Sequence, residues 1–406
     1  MPVLLVVYDS GSVGPARLAR AAAENDCELI FLAADSQHAR AMVPALEAFG
    51  GVVDGAAVPR SELLRTLTAA GVDGIVTFSE FQIGATAELA EDLGLAYHST
   101  ADVDAITRKD RQRQRFAERG VDSVRHRTIT SVDQIPDALA HVGLPAIIKP
   151  IVGASSRHTV AVATAEECRA VAGPFLLAET ALLVEELLVG RPTPAPWGDY
   201  IAVDCVASGD DVAPVFVTSK FALAEPFRER GGYGARSMVD ETGLKEVQEL
   251  ACRAVKALNI RTGLADVEIK LTAAGPRVIE VNGRLGGWVD DLAVRSHTAA
   301  PVDLAVRSAL GREVGPPTGG DGPIAFHYLV VPPIGATRVR RIGDSAPLTR
   351  LAHVDRVAVL AEPGASADWR IGAPASVAAV LGTAEDHGQL AETVAAIERT
   401  DWIDYE

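Results

Sequence analysis

A chain of 406 residues, 48% hydrophobic and 23% charged, is long enough for two or three domains. Its apolar runs, such as Val3 to Val7 and Ala146 to Ile148, are far too short to span a bilayer. A net charge of −16 argues against the basic surface that nucleic-acid binding needs, and obliges an anionic ligand to find local lysine, arginine or metal.

The first hundred residues alternate strand and helix. Strands are predicted over Val3 to Tyr8, Glu28 to Ala33 and Gly74 to Phe78, and helices over Pro15 to Asn25, Ala39 to Phe49, Ser61 to Ala70 and Ile83 to Leu93. Continuous apolar strands between helices imply a parallel sheet covered on both faces. The turn Asp9-Ser10-Gly11-Ser12-Val13-Gly14 lacks the spaced glycines of a dinucleotide fingerprint. Met1-Pro2 leads straight into a strand, so no signal peptide is expected. Cys27, Cys168, Cys205 and Cys252 have no paired spacing and read as thiols of a reducing cytoplasm.

A charged helix is predicted from Ala105 to Gly120, a buried strand from Leu144 to Lys149, and a Gly/Ala/Ser loop over 152–158. Ala165 to Val171 reads as a helix and Leu182 to Leu188 as a strand ending in an acidic pair. The prolines of Gly190 to Gly198 demand a loop. Tyr200 to Val206 and Val215 to Phe221 read as antiparallel strands, and Gly243 to Leu258 as an amphipathic helix. A helix near Pro301 to Leu310 precedes a Gly/Pro-rich linker, Gly311 to Gly322. Strands Ala325 to Val331 and Val354 to Leu360, a helix near Gln389 to Arg399, and a solvated acidic tail from Asp401 complete the chain. His126, His141, His297 and His353 lack metal-ligand spacing, and Trp369 and Trp402 read as packing residues.

The segment Glu268 to Trp288 carries the chemistry. Val267 to Leu271 and Arg277 to Val281 form a hairpin, with Ala273 to Pro276 as its turn. Side chains alternate along a strand, so Glu280, Asn282 and Arg284 share a face, and Glu268 joins them from the partner strand. Two carboxylates and an amide oxygen suit Mg²⁺, and the arginine suits a phosphate or a substrate carboxylate. Lys109, Lys149, the loop Gly153-Ala154-Ser155-Ser156, the strand Leu183-Val184-Glu185-Glu186-Leu187-Leu188, and Lys220 precede it in a fixed order.

This order resembles the ATP-grasp superfamily over nearly the whole chain, most strongly from Lys109 to Trp288. The resemblance implies an α/β and α+β multidomain ATP-grasp fold with an N-terminal parallel α/β domain and a C-terminal subdomain. The expected division is 1–107 (N-terminal domain), 108–190 (lid subdomain), 191–314 (central catalytic subdomain) and 315–406 (C-terminal subdomain). It also implies that Lys109 and Lys149 contact the ATP phosphates and that Gly153, Ser155 and Ser156 cover them. Glu185, Glu186 and Leu188 would form the adenine hinge. Glu268, Glu280 and Asn282 would hold Mg²⁺ (or Mn²⁺). Lys220, Glu229 and Arg284 would be catalytic.

Within the superfamily the chain is most similar to the L-amino-acid ligases, which form dipeptides. Arg284-Leu-Gly-Gly287-Trp288 resembles their acceptor-binding segment, with Arg284 on the acceptor carboxylate and Trp288 limiting the pocket. Glu225-Pro-Phe-Arg-Glu229-Arg-Gly-Gly232 resembles a segment reading Glu-x-Gly-His there. Glu229 matches the residue that binds an amino group, but Gly232 stands where a carbonyl-stabilising His is expected. Tyr233, Arg230 and Arg236 are the nearby replacements. The implied reaction activates a carboxylate as an acyl phosphate and passes it to an amine, behind a lid of residues 120–188. Small-molecule carboxylate and amine substrates, and a cytoplasmic homodimer that binds neither nucleic acid nor membrane, are expected. Two alternatives remain: a carboxylase or purine-pathway enzyme of the same fold that uses bicarbonate, and a degenerate nucleotide-binding protein.

Overall fold

Three apolar runs near the N-terminus bury most of their side chains and pair in parallel. In this computed structural model, which describes residues 1–315 and 322–406, the first sheet has the order Gly51–Asp54, Glu28–Ala33, Val3–Tyr8, Val72–Val76. Helices Pro15–Glu24, Gln37–Glu47, Arg60–Ala69 and Ile83–Leu93 bury Leu18, Leu46, Leu67 and Leu89 in the cores flanking it. No described helix is long and apolar enough to cross a membrane.

A second, antiparallel sheet has the order His126–Ile129, Leu182–Glu186, Ala146–Pro150, Val160–Val162. One face packs on helices Ile135–Val142 and Ala165–Phe175. The third sheet has eight strands: Gly275–Asn282, Thr262–Thr272, Trp197–Ser208, Asp211–Phe221, Gly231–Gly234, Ile324–Val330, Ala378–Ala384 and Val354–Val359. Helix Glu241–Ala257 covers one face of its hairpin end through Val247, Leu250, Ala251 and Ala254. The strands after the Gly/Pro-rich stretch thus extend the sheet that carries the acidic hairpin. Residues 316–321 of the predicted linker lie outside the described residues.

Three sequence expectations change. The helix predicted from Ala105 to Gly120 is two helices, Val103–Thr107 and Lys109–Glu118, because Arg108 is extended (φ −110°, ψ 120°). The break puts Lys109 at a helix start, where its N–H donates to Ile151 O at 2.8 Å. The hairpin turn is Ala273-Ala274 alone; Pro276 pairs with Leu271 on an edge strand, where proline's missing N–H costs no ladder bond. The acidic tail is not solvated: Trp402 and Ile403 are buried, and Ile403–Tyr405 pairs with Val339–Ile342. Two apolar anchors outweigh the acidic background there.

Candidate active site

The antiparallel sheet and the hairpin end of the eight-stranded sheet face each other across a solvent-open cleft of about 1030 Å³. Lys109, Lys149, Gly153, Ser155, Ser156, Glu185, Glu186, Leu188, Glu229, Glu268 and Glu280 all line it. Ile147, Leu223, Phe227 and Ile279 give it apolar walls.

Strand register builds its floor. Glu268 lies opposite Glu280, and Asp266 opposite Asn282, so all four side chains share one face. The same face continues inward: Asp266 opposes Asp204, Glu268 opposes Ala202, and Ala202 opposes Thr218. A further row runs Lys220, Gly232, His327. Burial, then Glu280 and Asp266, push the Glu268 carboxyl up to about 8. Burial opposes the charge on Glu280, but Lys109 and Lys149 outweigh it and lower its pKa. Lys109 Nζ lies 3.3 Å and Lys149 Nζ 3.9 Å from Glu280 Oε2.

A buried lattice holds the two lysines. Lys149 Nζ bonds Glu185 Oε1 at 2.7 Å, and Arg113 Nε bonds Glu185 Oε2 at 2.8 Å. Arg113 also donates to Val278 O and Ile279 O at 2.6 and 2.7 Å, tying its helix to the hairpin. Gln112 adds three bonds, to Ile106 O, Val281 O and Val281 N–H. Lys109 Nζ donates to Gly153 O at 2.6 Å and so touches the loop directly. The Glu186 carboxylate binds Arg125, leaving backbone groups and Leu188 for a planar ligand at the strand end.

Gly153, Ser155, Ser156 and His158 all have positive φ. Three non-glycine residues in the left-handed region are held there by outside contacts. Ala373 N–H donates to Ser155 O at 2.9 Å, His158 N–H donates to Arg370 O at 3.0 Å, and Glu179 binds both Arg157 and His158.

Beyond the hairpin, Arg284 Nε is 3.4 Å from Glu80 and its Nη1 3.5 Å from Asp266. Asn282 Nδ2 donates to Asp266 at 3.1 Å. Lys220 Nζ bonds Glu229 Oε1 at 2.6 Å. Burial opposes both charges, yet the mutual attraction keeps Lys220 protonated and Glu229 ionised. Burial, then the neighbouring Asp266, drives the Asp204 carboxyl well above its usual range. Trp288 (φ 66°) stacks on His327 with centroids 5.5 Å apart and, with Gly287, borders a second hollow against Gly11–Gly14.

Gly232 admits no side chain: a Cβ there would lie 2.7 Å from Thr218 Cγ2 and 2.8 Å from Ser219 O. The suggested replacements do not reach this face. Tyr233 points into the aromatic cluster with Trp197 and Phe221. Arg230 binds Glu398, and Arg236 binds Glu385 O. Glu80, Arg113, Asp204, Asp266 and His327 escape sequence reasoning, because only tertiary contacts and strand register bring them to the site.

Among the described residues, no group of three or more His, Cys, Asp or Glu side chains is arranged to hold a metal ion. The hairpin set is two carboxylates with an amide. That donor set fits Mg²⁺, which keeps waters and takes phosphate oxygens for its other positions. The mutual repulsion of Glu268 and Glu280 is the feature a divalent cation would relieve.

Residues 131–288 match the family described as ATP-grasp domain. The chain is 25% identical over 244 residues to the alanine–anticapsin ligase of Bacillus subtilis (strain 168), covering 56% of this chain and 51% of that one. It spans about half the length of the curated relatives it matches. The L-amino acid ligase from Bacillus licheniformis superposes with TM-score 0.74 at 18% identity, covering 100% of this chain and 99% of that one. Carboxyaminoimidazole ribonucleotide synthase from Aspergillus clavatus, complexed with ATP, gives 0.73 at 17%, covering 98% and 99%. At such identities these two likenesses speak to the fold.

Proposed function

We propose that the chain, whose residues 131–288 match the ATP-grasp domain family, is an ATP-dependent carboxylate–amine ligase that joins two amino acids, or an amino acid and an amine. The observation that carries this reading is the convergence of Lys109 and Lys149 on Glu280, directly opposite Glu268, inside one cleft. Phosphoryl transfer needs charge neutralisation and positioning more than covalent catalysis. Two ammonium groups and a paired carboxylate hairpin supply both.

In this reading Lys109 and Lys149 contact phosphate oxygens, and Gly153, Ser155 and Ser156 cover them. The strand end Glu185 to Leu188 borders the base, with Glu185 orienting Lys149 and Arg113. Glu268, Glu280 and Asn282 would hold Mg²⁺ or Mn²⁺, which neutralises phosphate charge when bound. A substrate carboxylate oxygen attacks the γ-phosphorus, the bond to the bridging oxygen breaks, and ADP leaves. An amine lone pair then forms the C–N bond while phosphate departs with the oxygen that the carboxylate brought. Glu229 receives an ammonium group, Lys220 holds Glu229 in place, Arg284 takes the acceptor carboxylate, and Gly287 and Trp288 bound its pocket.

The sequence relation to a ligase named for alanine and anticapsin supports amino-acid substrates. ATP turnover driven by bicarbonate without an amine would instead favour the carboxylase reading. The test is a screen of amino-acid pairs for ADP release, with mass spectrometry of the products, on the wild type and Glu280→Ala. Substrate-dependent ADP release is expected in the wild type and only background in the variant; full activity in the variant removes the metal role.

A further inference from the structure

We propose that His327 is a catalytic residue of this site: a neutral imidazole that donates a hydrogen bond to the acyl carbonyl oxygen while the amine adds. The inference rests on the ligase reading above and names a group that none of the sequence motifs contains. His327 lies on the strand Ile324–Val330, directly opposite Gly232, which in turn lies opposite Lys220. The three form one row on the face that also carries Glu268 and Asp266. Two strand spacings separate the outer backbones by about 10 Å. Gly232 puts no side chain between them, and steric contact with Thr218 and Ser219 prevents any. The ammonium and the imidazole therefore stand on either side of bare backbone, next to Glu229 of the cleft lining.

Two buried polar atoms there have no partner among the described residues: His327 Nδ1 and Thr218 Oγ1. Buried donors and acceptors in folded proteins are nearly always satisfied, so an unpaired pair beside a reactive cleft calls for a ligand. The ring is only 1% exposed, and Trp288 stacks on it and fixes its plane. Burial, partly offset by the nearby Glu229, keeps it uncharged, with its pKa lowered to about 3. A neutral ring with hydrogen on Nδ1 donates without transferring its proton.

The step balances without further reactants. The amine lone pair forms the C–N bond, and negative charge rises on the carbonyl oxygen, where His327 N–H meets it. The C–O bond to phosphate then breaks, the carbonyl re-forms, and the proton lost by nitrogen leaves on the phosphate. His327 begins and ends in the same state.

The test compares His327→Met with His327→Gln, similar in size but differing in a donor. The probe is ATP, Mg²⁺, a mixture of the protein L-amino acids and hydroxylamine, read as ADP and as acyl hydroxamate. The Met variant should keep first-turnover, amino-acid-dependent ADP release while hydroxamate formation falls about 100-fold, and Gln should restore about tenfold of it. Wild-type hydroxamate rates in the Met variant overturn the proposal and leave the ligase reading standing. Equal loss of ADP and hydroxamate in both variants makes His327 structural and also overturns it. No amino-acid-dependent ADP from the wild type removes the ligase reading, and this proposal with it. Should the variants not fold, nitrogen-15 histidine spectra of the wild-type chain decide. The His327 Nδ1 resonance moves when the same mixture is added, and an unmoved resonance during turnover overturns the proposal.

Discussion

Glu185 shows how single residues set the site. Burial works against its charge, but Arg113 and Lys149 outweigh it and hold the carboxyl down at about 2, against an ordinary 4.5. A depressed carboxylate stabilises the fold above its unfolded pKa and loses that contribution as pH falls toward the folded value. Glu185→Gln leaves two cations buried without their counter-charge and should cost about 3–5 kcal/mol at neutral pH. The deficit should shrink as pH drops from 4.5 toward 2. Urea unfolding at a series of pH values checks this, and a pH-independent deficit contradicts it. Lys149 and the Glu268–Glu280 pair were legible because charged side chains in apolar strands or at their ends need a reason; Lys109, on a charged helix, was legible only from its place in the order of motifs. Arg113 and Asp266 were not, since their partners lie 72 residues away along the chain, at Glu185, and 62 away, at Asp204. His327 left no signal at all, reading as one polar position within an apolar strand.

At the scale of elements, the strained loop 153–158 depends on the turn that follows Trp369–Ile371. Gly372 has φ 80°, and a Cβ there would stand 2.0 Å from Ser155 O, so only glycine allows this approach. Gly372→Val should therefore release the loop. The expected result is faster tryptic cleavage after Arg157, whose guanidinium is now held by Glu179, with melting lowered by a few degrees. Unchanged cleavage would show that the turn does not support the loop. Hydrophobic period located most strands and helices of the parallel and eight-stranded sheets, because the apolar faces repeat locally. It missed the break at Arg108, which is fixed by a tertiary bond from Lys109 to Ile151. It also missed Ile403–Tyr405, whose partner strand Val339–Ile342 is brought to it by the fold alone.

Across the whole molecule, the cleft draws on three sheets. The parallel sheet reaches it through Glu80 on Arg284, and through Ile83 and Ile106, which close on Gly283 so tightly that a Cβ there would lie 2.6 Å from Ile106. A ligand spanning these parts binds the native state alone and raises its stability by about 2.7 kcal/mol at a hundred times its Kd. ATP with Mg²⁺ should accordingly raise the unfolding temperature more than ATP without it, and Glu268→Gln should erase the difference; an equal rise in both conditions would deny the hairpin a cation. The central claim is that a substrate carboxylate takes the γ-phosphoryl group of ATP and an amine then displaces it. Its most direct measurement uses a carboxylate substrate labelled with oxygen-18 and follows the label into inorganic phosphate. One labelled oxygen should appear in the phosphate for each amide formed. Unlabelled phosphate, with the label retained in the acid or amide, would contradict the account.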